Sequence, residues 1–402
     1  MKCLVRNDGE GIEAVTRVAC RRCGAQADRL IENRYGQWEC RDCRATRADT
    51  MVFTNRAVLP VLHELRLPFT LSMAQQKGSD FFLDCLKHKR NAMMLAVCGA
   101  GKTEMTFQTI LYALNQGLKI AFVIPRTQVV IEIAKRLKFH FPKTRIEALH
   151  AESKADAGAH LLVSTPQQMI RYVEEFDLMI LDEADAFPYQ NDAYLQRLVQ
   201  RAIKPDGMLF QMSATLTPQT HSDAFMVQPQ RFHGYPLDLP RIIHVPYLAS
   251  TLRQQRLPRQ IRLQFDQWRD GCRQALVFVP SIPVGEQLVS IMKRQGYNCM
   301  GFSSHSPHKD VTLRKLRDRT IDFLVTTTIM ERGMTFPGIQ VAIIHADHPI
   351  FTDQVLMQIS GRVGRHQDDP SGDIILFSEH QTVAMSKLRK TIIRFNMYSV
   401  RT

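Results

Sequence analysis

Long apolar runs are missing from this sequence. The longest stretch without a formal charge, residues 207–222, carries Gln, Ser, Thr, Pro and His. A membrane-spanning helix needs about 20 mostly apolar residues, so none is expected. A secretory leader is not expected either, because the opening MKCLVRNDGEGIEA contains acids and no apolar core. The chain should therefore stay in the cytoplasm. Short-period repeats and low-complexity tracts are absent. Acidic residues are in deficit: 39 Asp and Glu stand against 52 Lys and Arg, a formal charge of +13. That excess suits a polyanion such as nucleic acid, an anionic membrane surface, or plain solubility, and composition leaves the three open. What is present is ordinary: 45% hydrophobic and 23% charged residues exclude disorder as the main state. At roughly 150 residues per domain, 402 residues suggest two or three domains.

Nine cysteines in a reducing compartment are thiols or metal ligands rather than disulfides. Four are patterned. Cys20-Arg-Arg-Cys23 and Cys40-Arg-Asp-Cys43 are two C-x2-C pairs with 16 residues between them, the zinc-ribbon spacing. Two thiolates three apart can bind one metal from a tight turn, and Gly24 can supply the positive φ such a turn often needs. Two such turns complete a closed tetrahedral shell, which is structural and not catalytic. About 50 residues make too small a core alone, so zinc would contribute much of the folding energy. The alternatives are four unrelated thiols, or a redox pair, which would need only one C-x2-C. Cys3, Cys85, Cys98, Cys272 and Cys299 are isolated and read as buried or incidental thiols.

Beyond residue 50, apolar strand-like runs alternate with amphipathic helical stretches. Residues 92–97, 119–124, 160–164 and 178–181 read as buried strands, with helices after Lys102 through Leu114 and over 128–137. The pattern restarts with strands at 275–279, 322–326, 341–345 and 372–377. Strands alternating with helices predict parallel sheets covered on both faces. Residues 229–260, rich in Pro and basic side chains, read as the connection. The expected layout is a four-cysteine zinc-binding module at 1–52 and two α/β domains at 53–230 and 231–402.

Two stretches carry chemistry. Gly99-Ala100-Gly101-Lys102-Thr103 follows a strand and opens a helix, as a phosphate-binding loop must. Ala96 stands where the G-x4-GK[ST] form has its first glycine. Gly99 and Gly101 let backbone N–H groups curl around phosphates, with the helix N-terminus adding its dipole. Lys102 would reach the β/γ-phosphates, and the Thr103 hydroxyl would hold Mg2+. An ordinary glycine turn is the alternative. The apolar run 178–181 ends in Asp182-Glu183-Ala184-Asp185, where α/β sheets bind ligands. Asp182 is placed to hold Mg2+ through water, and Glu183 to orient and deprotonate an attacking water. Acids after a strand can also be only a solvated loop.

These residues resemble the superfamily 2 helicase and translocase ATPases, whose DEAD form residues 182–185 spell. The family's other motifs follow in order. Gln75 is similar to the upstream glutamine that reads adenine. Pro125-Arg126-Thr127 and Ser164-Thr165-Pro166-Gln167-Gln168 resemble the nucleic-acid-contacting motifs. Ser213-Ala214-Thr215 resembles the motif that links the ATP site to DNA. In the second half, Val279-Pro280-Ser281 resembles the motif opening the second lobe, Thr326 to Gly333 the one after it, and Gln358 to Arg365 the arginine-finger motif. The resemblance implies two tandem RecA-like P-loop NTPase domains. It adds Ala100 and Gln358 to the nucleotide-contacting set. Arg362 and Arg365, three apart, are expected on one helical face, where guanidinium groups suit a phosphoryl group. They fall in the second domain and the phosphate loop in the first, so ATP is expected between them, with closure completing the site.

The four-cysteine module ahead of the motor, DEADAFPY, TTTIMERGMTFPG and QISGRVGR together resemble the ComFA family of late-competence ATPases of Gram-positive bacteria. That resemblance implies an ATP-dependent motor drawing single-stranded DNA into the cytoplasm during transformation. It also implies partnership with the membrane channel ComEC and with ComFC, peripheral placement at the membrane through them, and a homo-oligomer as one option. The helicase PriA shares the arginine motif, but its cysteines interrupt the second lobe. Ala184, where many ComFA sequences have Val, is the one departure. The implied DNA contacts are Arg126, Thr127, Thr165, Gln168 and Thr327, gripping phosphates rather than bases. Arg253, Arg256, Arg259 and Arg262 recur every third residue, as a DNA path or a solvated stretch. Arg21, Arg22, Arg41 and Arg44 surround the metal ligands, to bind DNA or to dock a partner. A DNA-stimulated motor, an ATP-driven assembly clamp and an RNA helicase all remain open on these residues.

Overall fold

The computed structural model describes residues 4–7, 10–13, 19–20, 22–32, 38–45, 52–53, 61–151, 153, 158–215, 222–303, 306, 309–327 and 336–401. They form two compact units, one of Met1–Ala96 with Gly101–Gln228, the other of Val97–Ala100 with Pro229–Thr402. Among them no helix is long and apolar enough to cross a membrane.

The first unit opens with short strands. β1 (Leu4–Asn7) pairs antiparallel with β2 (Glu10–Glu13), and β3 (Leu30–Glu32) pairs antiparallel with β4 (Trp38–Cys40). The one-turn helix α1 (Arg41–Ala45) follows, and β5 (Val52–Phe53) runs parallel to β1. Then comes α2 (Met73–Lys87), started by a reciprocal capping box. Gln75 N–H donates to Ser72 Oγ at 3.3 Å and Ser72 N–H donates to Gln75 Oε1 at 3.0 Å.

The main sheet of this unit has seven strands, all parallel. They are β6 (Ala92–Ala96), β7 (Ile120–Val123), β8 (Ile146–Leu149), β9 (Leu161–Ser164), β10 (Phe176–Leu181), β11 (Ile203–Ser213) and β12 (Ala224–Gln228). Their spatial order is β12-β6-β11-β10-β7-β9-β8. The helix expected through Leu114 is two pieces, α3 (Lys102–Met105) and α4 (Phe107–Asn115). At the break, Thr106 Oγ1 donates to Thr103 O at 2.7 Å. Helices α5 (Thr127–His140) and α6 (Ala193–Ala202) complete the crossovers. Every residue of β6, β7 and β9 is buried, as strands covered on both faces must be.

The second unit also holds a parallel sheet, of six strands. Residues 229–260, read from sequence as connection, instead contain β13 (Arg241–His244), α7 (Leu248–Arg253) and the start of α8 (Arg259–Asp270). β14 (Ala275–Phe278), α9 (Ile282–Arg294), β15 (Cys299–Phe302), α10 (Lys309–Arg317), β16 (Phe323–Thr326), β17 (Gln340–Ile344), α11 (Asp353–Ser360), β18 (Ile374–Ser378) and α12 (Val383–Arg401) follow. The order is β13-β18-β17-β14-β16-β15. Its mostly aliphatic core contains an aromatic cluster. The Phe265 ring lies 5.0 Å from Phe323, 5.9 Å from Trp268 and 6.1 Å from Tyr297.

Candidate ATP site and four-cysteine centre

Strands β6, β11 and β10 are neighbours and parallel, so their C-terminal ends lie side by side. Each end carries one part of the site: the phosphate loop after Ala96, Ser213 to Thr215, and the acids from Asp182. Gly99 has φ +84° and Gly101 φ +76°, both in the left-handed region open to glycine. A Cβ on Gly101 would lie 2.1 Å from Gln75 Nε2, so the loop and the expected adenine reader touch. Lys102 Nζ donates to Ala96 O at 3.2 Å. Thr103 is buried at the second position of α3.

Asp182 follows β10 and accepts from Glu183 N–H at 2.8 Å. Burial pushes its carboxyl up to about 6; Lys102 acts in the opposite sense and Glu183 adds to the rise. Glu183 itself has φ +53°, a conformation unfavourable for a side chain with a Cβ. Its carboxylate lies 3.6 Å from Arg126 Nε. Asp185 accepts from Thr215 Oγ1 at 2.7 Å, and Thr215 N–H donates to Ser213 Oγ at 3.0 Å. The last acid of the tetrad is thus tied to the Ser-Ala-Thr turn directly.

In the second unit, Gln358 lies in α11, and its Oε1 has no hydrogen-bond partner among the described residues. The helix ends at Ser360, and 361–364 form turns. Arg362 and Arg365 therefore do not share a helical face. Gly364, at φ +64°, carries the chain away from the helix direction. Arg362 is buried, while Arg365 is half-buried and donates its Nε–H to Gly361 O. Thr327 is buried after β16, and residues 328–335, with the rest of that motif, lie outside the described residues.

The four patterned cysteines converge. Cys20 Sγ lies 3.7 Å from Cys43 Sγ and Cys23 Sγ lies 3.5 Å from Cys40 Sγ, all four within 4.8 Å of one another. Sulfurs around a tetrahedral zinc, each bonded at ~2.3 Å, are separated by about 3.8 Å, so the donor set fits zinc. Gly24 takes φ +71° and donates its N–H to Cys20 O at 2.8 Å, closing the first turn. This centre shares a core with the sheet of the same unit: Cys20, Cys23 and Cys40 pack in one cluster with Ile170, Tyr172, Leu181 and Ala184. Arg22 is only 2% exposed and donates its Nε–H to Ile170 O at 3.0 Å. Asp42 receives both Arg29 and, at 2.8 Å, Arg197 of α6.

Comparison with known proteins is decisive. The family model for DEAD/DEAH box helicases matches residues 77–224, and that for the helicase conserved C-terminal domain matches residues 255–367. Competence protein ComFA of Bacillus subtilis is 38% identical over 339 residues, 81% of this chain and 72% of that protein. Competence protein ComFA of Streptococcus pneumoniae is 32% identical over 392 residues, 94% of this chain and 90% of that protein. The chain belongs to the ComFA family. Solved structures support the two-lobed helicase fold at lower identity. Saccharomyces cerevisiae Dbp5 bound to RNA and ADP BeF3 has a TM-score of 0.56 at 16% identity, covering 81% of this chain and 91% of that one. Mycobacterium smegmatis helicase Lhr bound to ssDNA and AMP-PNP also scores 0.56 at 16% identity, over 80% of this chain and 50% of that one. This ComFA-family protein is an ATP-hydrolysing helicase-type enzyme that uses a nucleotide with Mg2+ and binds nucleic acid.

Four of the expected nucleic-acid contacts of this ComFA-family chain follow the C-terminal ends of the neighbouring strands β7 and β9, and the fifth, Thr327, lies in the second unit. Arg126 faces Glu183, Thr127 opens α5, Thr165 is buried ahead of a short 3-10 turn (Pro166–Arg171), and Gln168 lies half-buried within that turn. Arg253, Arg256, Arg259 and Arg262 are all exposed. Arg22 faces Ile170 and not solvent, Arg41 is exposed, and Arg21 and the Arg44 side chain lie outside the described residues. Cys85 and Cys299 are buried, Cys98 half-buried and Cys272 exposed, while Cys3 lies outside the described residues. Sequence reasoning missed the Arg126–Glu183 pair and the docking role of Arg22. Nothing in C-R-R-C separates Arg22 from Arg21, because which arginine turns inward depends on the partner surface.

Proposed function

We propose that this protein is an ATP-driven motor that draws single-stranded DNA into the cytoplasm during competence. The observation that carries the reading is the match to Streptococcus pneumoniae Competence protein ComFA along 94% of the chain. In this reading Gly99, Ala100, Gly101 and Lys102 cradle the phosphates, and Gln75 and Gln358 contact the rest of the nucleotide. Thr103 and Asp182 hold Mg2+, which neutralises phosphate charge when bound. Burial raises the Asp182 carboxyl to about 6, and a divalent cation beside it would offset that by favouring the ionised form. Glu183 takes the proton of the attacking water, and the ion pair with Arg126 holds its carboxylate in place. Arg362 and Arg365 stabilise charge on the transferring phosphoryl group.

Cys20, Cys23, Cys40 and Cys43 hold a structural zinc. Arg126, Thr127, Thr165, Gln168 and Thr327 grip the DNA backbone, so binding should weaken steeply with salt and vary little with base sequence. The family resemblance extends the proposal to ComFC and the channel ComEC as partners, to attachment at the membrane face through them, and to self-association. The deciding experiment is ATP turnover of the purified protein with single-stranded DNA, duplex DNA and RNA. Single-stranded DNA should accelerate turnover about tenfold or more. A rate that no nucleic acid changes would sink the motor, and a preference for RNA would sink the uptake reading.

A further inference from the structure

The arginine motif lacks a helix beneath its last residues, so another element must fix them. Gly364 is the hinge. At φ +64° a Cβ there would lie 2.2 Å from Pro370 O and 2.4 Å from Arg231 Nη1, so only glycine fits. Two side chains from one short segment converge on its carbonyl. Arg231 Nη1 donates to Gly364 O at 2.8 Å and to Pro370 O at 3.2 Å. His233 Nε2 lies 2.9 Å from the same Gly364 O. Tyr235 N–H donates to His233 Nδ1 at 3.2 Å, so Nδ1 is the acceptor and Nε2 carries the donated proton.

Burying Arg231 is a costly way to gain stability. Its side chain is 1% exposed, its Nε and Nη2 have no hydrogen-bond partner among the described residues, and Asp238 stands 3.7 Å away. A buried guanidinium so sparsely satisfied is no better for stability than an apolar side chain of similar volume. What it does accomplish is geometric. The Gly364 carbonyl belongs to the peptide that leads into Arg365, and orienting it orients the point where Arg365 leaves the backbone.

We propose that Arg231, seconded by His233, is a positioning residue for the arginine motif, acting through the Gly364 carbonyl. The inference rests on the phosphoryl-stabilising role given to Arg362 and Arg365 above. ATP turnover, affinity for a fluorescent non-hydrolysable ATP analogue, and thermal melting test it in the full chain. The variants are Arg231→Met, His233→Phe, Arg365→Ala, and each of the first two combined with Arg365→Ala. Arg231→Met should lower kcat about tenfold and His233→Phe about threefold, with KM and analogue affinity within about twofold and each variant still melting as a folded protein. Each double variant should be no slower than Arg365→Ala alone, because a residue acting through another adds nothing once that one is gone. Turnover within about twofold of the parent in both single variants would overturn the proposal. So would double variants that lose the product of the single factors. Should Arg231→Met fail to fold, the partly exposed His233→Phe and its double variant decide. Normal turnover in Arg365→Ala refutes the catalytic role of that arginine itself, whereas a slow Arg365→Ala beside near-normal Arg231→Met and His233→Phe refutes positioning alone.

Discussion

The four-cysteine centre and the phosphate loop both hold charge, by opposite means. In the first, four side chains converge and the backbone only brings them near; sulfurs 3.5 and 3.7 Å apart are spaced to surround one cation. In the second, the backbone is the ligand. Gly99 and Gly101 adopt their left-handed angles because β6 ends there and α3 begins. The loop is shaped by its own backbone angles, whereas the cysteine centre is a set of four side-chain donors that fits one ion. Yet the cysteine centre is not isolated from the ATP site, since it packs in one core with Leu181 of β10 and Ala184 of the acidic tetrad. A difference in construction need not mean independence.

The largest effects should fall on the loop side and leave the metal side untouched. Lys102→Ala should lower ATP turnover about 10²–10³-fold, and Glu183→Gln should do so by about 10²–10⁴-fold while still binding nucleotide. Zinc measured by elemental analysis should stay at one ion per chain in both. Near-normal turnover in Glu183→Gln would remove it as the base. The converse variant, Cys20→Ser, should lose zinc and destabilise the first unit by more than about 4 kcal/mol, followed by denaturant unfolding. Unchanged metal content would count against the four-cysteine site. Metal loss with unchanged stability would show the shared core to be irrelevant.

Sequence made the centres of both sheets legible and hid their edges. The expected strands became β6, β7, β9 and β10 in one unit, and β14, β16, β17 and β18 in the other. The four that were missed at the margins, β8, β12, β13 and β15, are the outermost strands of the two sheets. An interior parallel strand is buried on both faces and reads as an unbroken apolar run. An edge strand is half open, so Glu147 in β8 interrupts its apolar run, and β12 is a short run, Ala-Phe-Met-Val-Gln, whose Phe225 is exposed. β11 is the exception, an interior strand whose first turn holds Pro205, Asp206 and Gly207, all turn formers. The candidate site was legible where a short spacing brings residues together, as in the loop from Gly99 to Thr103 and the two cysteine pairs. It was illegible where a contact joins distant segments, as in Arg126 with Glu183 or Arg231 with Gly364, because no spacing records such pairs.

A smaller effect tests whether the ATP site is held at a cost. The Asp182 carboxyl is pushed up to about 6 by burial from an ordinary 3.8. Between those values the folded protein binds a proton that the unfolded chain has released. Stability from this group is therefore full below the unfolded value and is lost as pH rises through about 6. Asp182→Asn mimics the protonated form. The variant should be more stable than the parent at pH 7 by about 1–3 kcal/mol, with a flatter pH dependence of melting, while losing turnover. Parallel melting curves for parent and variant from pH 4 to pH 7 would show that Asp182 is not strained.

The smallest effect sharpens the comparison most, because it alters the link between the two centres and neither centre itself. Arg22 lies between two metal ligands yet spends its Nε–H on Ile170 O, in the turn that follows Thr165. Arg41, one residue after Cys40, is exposed. If the cysteine centre docks through Arg22, Arg22→Ala should destabilise the first unit by about 1–3 kcal/mol, the consequence of leaving a buried carbonyl unpaired. Arg41→Ala should change it by less than about 0.5 kcal/mol. Both should retain zinc, so metal analysis separates docking from ligation. Equal unfolding midpoints for the two variants would mean that the centre is fixed by its shared apolar core alone, and that the arginine contact follows from docking instead of causing it.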